Sequence, residues 1–171
     1  MRCRRVTAAD DRSKPRAAHQ QTGRVYHLYP PRIDLVPQLT RLWTEPLRSE
    51  SEALTAFGET YADPVRINGI DVGLAELVAR ARMLQRAFSD LQIEPLEQIE
   101  SGDRFVLAFL QRGRHTGRFE TPLGSIEPTT RTFEIRVIDV LTISDGRITA
   151  IEVVPDNLSL MMQLDAVRLL E

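Results

Sequence analysis

The sequence predicts an α+β domain in which helices come first and one curved antiparallel sheet follows. Three observations carry this prediction. Apolar residues recur at helical spacing between residues 33 and 88, and long alternating segments joined by hairpin turns follow between residues 91 and 154. A last amphipathic segment predicts a C-terminal helix. Helices followed by a run of strands are typical of a sheet covered on one face, and a sheet curved around helices encloses a pocket.

Boundary residues place the elements of the first half of the chain. Glu52 lies three residues after Ser49, which is the spacing of a capping box, and Asp63-Pro64 ends the helix that this box begins. A further helix follows, with apolar residues at helical spacing up to Phe88. The predicted order is a helix over 33–43, a helix from Ser49 or Ser51 through Tyr61, a short strand over 65–68 closed by Gly69, and a helix that begins at Asp71.

The second half of the chain is predicted to form a meander of four strands, followed by one helix. Ser101-Gly102-Asp103 and Asp145-Gly146 have the composition of hairpin turns. Asn157 is placed to cap the last helix, and its apolar residues recur to the end of the chain. The predicted strands span 91–99, 104–115, 131–144 and 147–154, and the predicted helix spans 157–170.

Single residue types exclude several kinds of chemistry. Cys3 is the one cysteine, which excludes disulfide frameworks, thiolate zinc sites and iron–sulfur clusters. His115 is the one histidine outside the N-terminal tract, so a multi-histidine metal site cannot form in the body of the chain. Lys14 is the one lysine, which removes a phosphate-binding or Schiff-base lysine. We therefore expect no metal and no cofactor, and chemistry performed by carboxylates, one imidazole, hydroxyls and arginines.

The first 32 residues differ from the rest of the chain in charge. They hold eight basic and two acidic residues, a net charge of +6, whereas residues 33–171 carry −8. Without a repeated basic face, this arm predicts a disordered extension or a start codon placed too early, not a nucleic-acid partner. The longest apolar run, 105–110, is far too short to span a membrane, and no secretory signal is recognisable. We expect a cytoplasmic protein with one domain over 33–171.

Asp139 is the strongest catalytic candidate. Strand alternation places it on the face that carries Phe133, Ile135, Val137 and Leu141. A carboxylate among apolar side chains loses hydration, so its pKa rises toward that of a base able to take a proton from carbon near neutral pH. The competing interpretations are a structural acid paired with Arg136, Arg114 or a backbone amide, and a residue that marks a strand edge.

Two polar residues share the face of the neighbouring strand with Phe109. His115 ends this strand, where an imidazole can polarise a carbonyl or orient a carboxylate, although a solvent-exposed turn residue is the alternative. Gln111 points the same way and is a candidate hydrogen-bond donor to a ligand. We take His115 as a second catalytic candidate, and Gln111 and Phe109 as substrate-binding candidates.

Five further residues are secondary substrate-binding candidates. Glu134 is the rival base, although alternation turns it away from Asp139 and surface pairing with Arg136 or Arg131 is the favoured explanation. Each of the others has a structural alternative: a core position for Tyr61, a turn for Asn68, a staple of the first helix for Trp43, and a helix cap for Asp156.

Several short motifs together resemble a known family. From Leu42 to its end, the chain is similar to SnoaL-like ester cyclases and polyketide cyclases of the nuclear transport factor 2-like superfamily. The resemblance depends on Tyr61-Ala62-Asp63-Pro64-Val65 with Asn68-Gly69, Arg114-His115-Thr116-Gly117, Thr121-Pro122-Leu123-Gly124, Pro128-Thr129-Thr130-Arg131, Ile138-Asp139-Val140-Leu141, Asp145-Gly146-Arg147-Ile148 and Asp156-Asn157-Leu158.

The resemblance implies a cone-shaped fold and a carboxylate that catalyses an intramolecular aldol closure without metal. The same fold also carries isomerases, dehydratases, epoxide hydrolases and proteins without catalysis. The chain departs from the family pattern at Thr130, where a glycine is usual, and at Glu152, where a tryptophan is frequent. The sequence therefore predicts a cyclase or isomerase-type enzyme for a small hydrophobic ligand, or a non-catalytic binding or dimerisation module of the same fold.

A homodimer is also expected. Val106, Ala108 and Leu110 alternate with Phe105, Leu107 and Phe109, so this strand is apolar on both faces. A strand of this kind needs cover on both sides. A second copy of the chain against the outer face would provide it.

Overall fold

The structure, a computed structural model, describes residues 35–122 and 124–167; the expectations for residues 1–32 lie outside this part of the chain. Four helices and eight strands follow one another in this order: α1 (Leu35–Thr44), α2 (Glu50–Thr60), β1 (Tyr61–Ile67), β2 (Ile70–Val72), α3 (Leu74–Ala87), β3 (Phe88–Ser101), β4 (Arg104–His115), β5 (Phe119–Thr121), β6 (Gly124–Ile126), β7 (Thr132–Ser144), β8 (Arg147–Pro155) and α4 (Asn157–Gln163). No helix in the described ranges is long and apolar enough to cross a membrane.

The predicted start of α2 is confirmed, and that of α3 is wrong. The Ser49 hydroxyl accepts a hydrogen bond from the Glu52 amide at 3.1 Å, as an N-cap does. Asp71 does not begin α3, because it lies in β2, where it pairs with Arg66. The Leu74 amide at the start of α3 donates instead to the carboxylate of Asp63, 11 residues earlier. A cap supplied by a distant residue leaves no local signal in the sequence.

The main sheet has six strands in the order β2-β1-β8-β7-β4-β3. The expectation of a wholly antiparallel sheet is wrong, because β1 runs parallel to β8. Tyr61 is the C-cap of α2 and also the first residue of β1, so the chain passes from helix to strand without a loop and enters the sheet beside the last strand. The remaining neighbours in this sheet are antiparallel, as the hairpin turns predicted.

The inner face of the sheet forms much of the core. In β4 and β7 the buried side chains occupy alternate positions, which confirms the predicted faces. Buried residues of α1, α2 and α3 belong to the same hydrophobic cluster. The helices therefore cover one face of the sheet, as the α+β pattern predicted.

The C-terminal helix is shorter than predicted, and its N-cap lies one residue earlier than predicted. Asp156, rather than Asn157, is the N-cap, and its carboxylate accepts from the Ser159 amide at 2.9 Å. The helix ends at Gln163 instead of residue 170. The Gln163 side chain bonds both the backbone amide and the carbonyl of Glu134, each at 2.9 Å, and so fixes α4 to β7.

A small hairpin, β5–β6, was not predicted from the sequence. It precedes the loop in which Thr130 replaces the glycine that the family pattern has. Thr130 has a φ of 60°, so this loop keeps the left-handed backbone that favours glycine. A β-branched residue in this conformation is strained.

Candidate functional site

A cavity of about 330 Å³ lies between the inner face of the sheet and the helices. Its size is at the lower end of that of small-molecule sites, and most of its lining is apolar. Strands β4, β7 and β8 contribute alternate side chains to it, β3 contributes Phe88 and Ile93, and α1 and α3 contribute one face each. The same alternation that builds the core therefore builds the cavity.

Asp139 lies in the cavity wall. On either side of it in the sheet are Leu107 of β4 and Val153 of β8, and both of these also line the cavity. Its Oδ1 atom is buried and has no hydrogen-bond partner among residues 35–122 and 124–167. The predicted pairing with Arg136, Arg114 or a backbone amide therefore does not satisfy this oxygen, which remains available to a ligand.

Burial raises the pKa of the Asp139 carboxyl from its ordinary value of 3.8 to about 7. The cause is desolvation, because an ionised carboxylate among apolar side chains loses the hydration that stabilises its charge. At neutral pH the group therefore exchanges readily between its acid and base forms, as a general acid–base catalyst must.

Tyr61 and Trp43 form a second polar element of the cavity. The indole Nε1–H of Trp43 donates to the Tyr61 hydroxyl at 2.8 Å, and both side chains line the cavity. Burial, together with the nearby charge of Asp139, raises the pKa of Tyr61, so its hydroxyl keeps its proton. Because the hydroxyl oxygen already accepts from the indole, its own proton can be donated to a ligand oxygen.

Gln111 and Phe109 also line the cavity. Leu107 is the register partner of Asp139, and Gln111 follows it by four residues on the same strand, a separation of roughly 13 Å along β4. The Gln111 amide makes no hydrogen bond to residues that the structure describes. The cavity therefore offers polar groups at two points separated by an apolar stretch.

His115 is not among the described residues that line the cavity. It lies eight residues beyond Leu107, roughly 26 Å along β4, so the structure does not bring it to Asp139. The ring is fully buried against Phe88, with 5.4 Å between ring centroids, and Phe88 separates it from the cavity that Phe88 lines. Burial lowers the pKa of His115, and its Nδ1 accepts from the Thr129 amide at 3.2 Å.

Three other candidates lie outside the cavity lining. Glu134 is exposed on the outer face of β7, where its carboxylate pairs with Arg112 at 2.5 Å, rather than with Arg136 or Arg131. Asn68 occupies the β1–β2 turn, and its side chain bonds the backbone of Val153. Asp156 is the exposed cap of α4. Structural contacts account for all three of these positions.

Two further polar residues line the cavity and were not predicted from the sequence, namely Arg80 of α3 and Asn157 of α4. Met83 and Leu84, one turn beyond Arg80, line the cavity too, so the apolar face of α3 could have indicated Arg80 at its edge. Across the described ranges, no three histidine, cysteine, aspartate or glutamate residues lie together in a way that could hold a metal ion.

Comparison with known proteins finds a family match over the region that forms the sheet, the helices and the cavity. Residues 37–164 match the family model described as SnoaL-like polyketide cyclase. No curated protein sequence matches the chain.

Three solved structures illustrate the likeness in fold. TsrD from Streptomyces laurentii is 21% identical with a TM-score of 0.66, and the alignment covers 79% of this chain and 95% of that one. AclR from Streptomyces galilaeus, named as a candidate hydroxylase, is 19% identical with a TM-score of 0.63, over 80% and 96% of the two chains. IdmH from Streptomyces antibioticus, named as a candidate polyketide cyclase, is 21% identical with a TM-score of 0.60, over 78% and 97%.

Proposed function

Because the chain belongs to the SnoaL-like polyketide cyclase family, we propose that it closes a ring by an intramolecular aldol reaction on a moderately apolar carbonyl compound. The observation that carries this proposal is the buried Oδ1 of Asp139, which has no hydrogen-bond partner in the described part of the chain and belongs to the wall of an apolar cavity. A carboxylate so placed is costly unless a ligand or a proton uses it.

Asp139 is the proposed base. Its ionised form takes a proton from the carbon next to a carbonyl group, and the electrons of the broken C–H bond form an enolate. The Tyr61 hydroxyl, held by Trp43, donates a hydrogen bond to the enolate oxygen, where negative charge develops. The enolate carbon then attacks a second carbonyl of the same molecule and forms a C–C bond. The resulting alkoxide takes the proton back from Asp139, so the enzyme returns to its starting state.

A binding protein without turnover is the second candidate function. It is favoured by one observation: Asp139 is the only carboxylate among the described lining residues, and His115, the expected second catalytic group, is not among them. Such a protein would hold the same carbonyl ligand without removing its proton.

Hydrogen–deuterium exchange at carbon separates the two functions. In D₂O near neutral pH, we expect the protein to accelerate loss of the α-proton NMR signal of α-tetralone, a bicyclic ketone. Asp139→Asn should slow this exchange about a hundredfold or to the buffer rate. Glu134→Gln, a carboxylate change on the outer face, should leave it unchanged.

Two results would contradict the proposed enzyme. Exchange by Asp139→Asn at the rate of the unaltered protein would exclude Asp139 as the base. Binding of α-tetralone with no exchange above the buffer rate would favour the binding protein instead.

We propose in addition that the outer face of the sheet joins two copies of the chain. Ala108, Ile138 and Val154 lie side by side across β4, β7 and β8, and Ile138 and Val154 are 47% and 67% exposed. These three residues form a row across the strands. The next outward-facing row on one side holds Glu152, and the next such row on the other side holds Arg136. A two-fold axis that runs along the central row would bring Glu152 of each copy over the row of the other copy that holds Arg136.

Light scattering coupled to size-exclusion chromatography tests this dimer. At micromolar concentration we expect twice the mass of one chain. Ile138→Arg should yield monomers with an unchanged circular dichroism spectrum, because it places a charge at the centre of the interface. Monomers of the unaltered protein would contradict the proposal.

A further inference from the structure

We propose that Arg80 binds a carboxylate of the ligand, so that the compound held in the cavity is an apolar carbonyl compound that also carries an acidic group. This inference rests on the proposed function, because it requires a carbonyl ligand in the cavity. The inference adds the chemical class of the ligand and its orientation, with the acidic group at Arg80 and the carbonyl group toward Asp139.

The position of Arg80 combines access to the cavity with access to water. Arg80 lines the cavity together with Met83 and Leu84 from the same face of α3. Its side chain is nevertheless 40% exposed. A residue with both properties lies at the rim, where the charged end of a ligand can remain hydrated while the apolar part is buried.

The charges in the lining favour an anion at Arg80. Arg80 is the one cationic side chain among the described lining residues, and Asp139 is the one acidic side chain. No ion pair joins the two in the described structure. A ligand carboxylate is therefore attracted to Arg80 and repelled by ionised Asp139, and this directs the uncharged carbonyl end toward Asp139.

The guanidinium group of Arg80 has N–H donors that are not used by described residues. It contacts Glu76 through one nitrogen, with 2.6 Å from Nη2 to Oε1. An arginine carries five N–H donors in a planar fork, and the other nitrogens of Arg80 make no hydrogen bond to described residues. The pair with Glu76 is exposed and lies within one helix, so it contributes little to stability and leaves the remaining N–H groups open to a second carboxylate.

A matched pair of ligands tests the inference. We would measure the dissociation constants of 2-naphthoic acid and methyl 2-naphthoate by titration calorimetry at pH 8 and low salt. The two probes share an apolar body and differ in charge. Arg80→Gln should weaken binding of the acid about tenfold and leave binding of the ester within about twofold. Arg86→Gln removes an exposed arginine outside the cavity lining and should change neither constant.

The outcomes separate this inference from the proposed function. Loss of acid affinity confined to Arg80→Gln would support the inference. It would be overturned if Arg80→Gln left acid binding unchanged, weakened both probes equally, or had no more effect than Arg86→Gln. Ester binding without any preference for the acid would overturn the inference alone. Failure of both probes to bind the unaltered protein would count against the carbonyl ligand itself, and so against both.

Discussion

At pH 8, replacement of Asp139 by asparagine is expected to raise the free energy of unfolding by up to about 4 kcal/mol. Asparagine keeps the shape of the side chain and removes the charge. No cation among the described residues compensates this charge, and burial raises the carboxyl pKa from 3.8 to about 7. The change therefore removes a penalty and breaks no described ion pair.

The effect depends on pH in a direction that follows from the raised pKa. Between about pH 4 and pH 7 the folded protein holds a proton on Asp139 that the unfolded chain has released. The contribution of Asp139 to stability is thus fully present below pH 4 and is lost as the pH rises through about 7. Asp139→Asn should match the unaltered protein near pH 4 and exceed it at pH 8.

Urea denaturation at both pH values measures this difference. Glu134→Gln is the matched control, because its carboxylate is exposed and its removal should change stability by less than about 1 kcal/mol. An Asp139→Asn protein that is less stable at pH 8 would show that Asp139 has a stabilising partner in the folded state, which an unpaired carboxyl does not have.

Replacement of Gly117 by alanine is expected to lower the free energy of unfolding by about 3 kcal/mol. The Gly117 amide donates to the Ala87 carbonyl at 2.9 Å, which holds this segment against the end of α3. A Cβ atom at Gly117 would lie 2.0 Å from the backbone oxygen of Arg86. Backbone cannot rotate away as a side chain can, so the whole segment must shift.

A second glycine provides the control for this prediction. Gly58 lies within α2, and a Cβ there would meet only Leu74 Cδ1, at the ordinary distance of 3.4 Å. Gly58→Ala should therefore raise stability by about 0.5–1 kcal/mol, as expected for a helix interior. Equal stability of Gly117→Ala and the unaltered protein in denaturant would contradict the close contact.

The part of the site predicted from the sequence is the part that strand alternation determines. Asp139, Phe109 and Gln111 lie on inner faces of β7 and β4, and a period of two suffices to place them in the cavity. His115 obeys the same alternation but lies beyond the end of the cavity, behind Phe88. Alternation gives the face of a strand and does not give the point at which a cavity ends.

Long-range contacts account for the other differences. The parallel pairing of β1 with β8 joins segments about 85 residues apart, as the bond from Asn68 to Val153 illustrates. The capping of α3 by Asp63 depends on the β1–β2 hairpin, which brings β1 beside the start of this helix. Neither contact has a signature in the local sequence, whereas the Ser49 cap, four residues from end to end, was recognisable.

A direct titration of the Asp139 carboxyl carbon by ¹³C NMR is the most direct test of the central claim that this group is a buried, unpaired base. For a buried, unpaired carboxyl we expect a resonance that titrates with a midpoint near pH 7 and that is missing from the spectrum of Asp139→Asn. A midpoint near the ordinary aspartate value of about 4 would contradict it, because such a carboxyl would be hydrated or paired and could not serve as the proposed base.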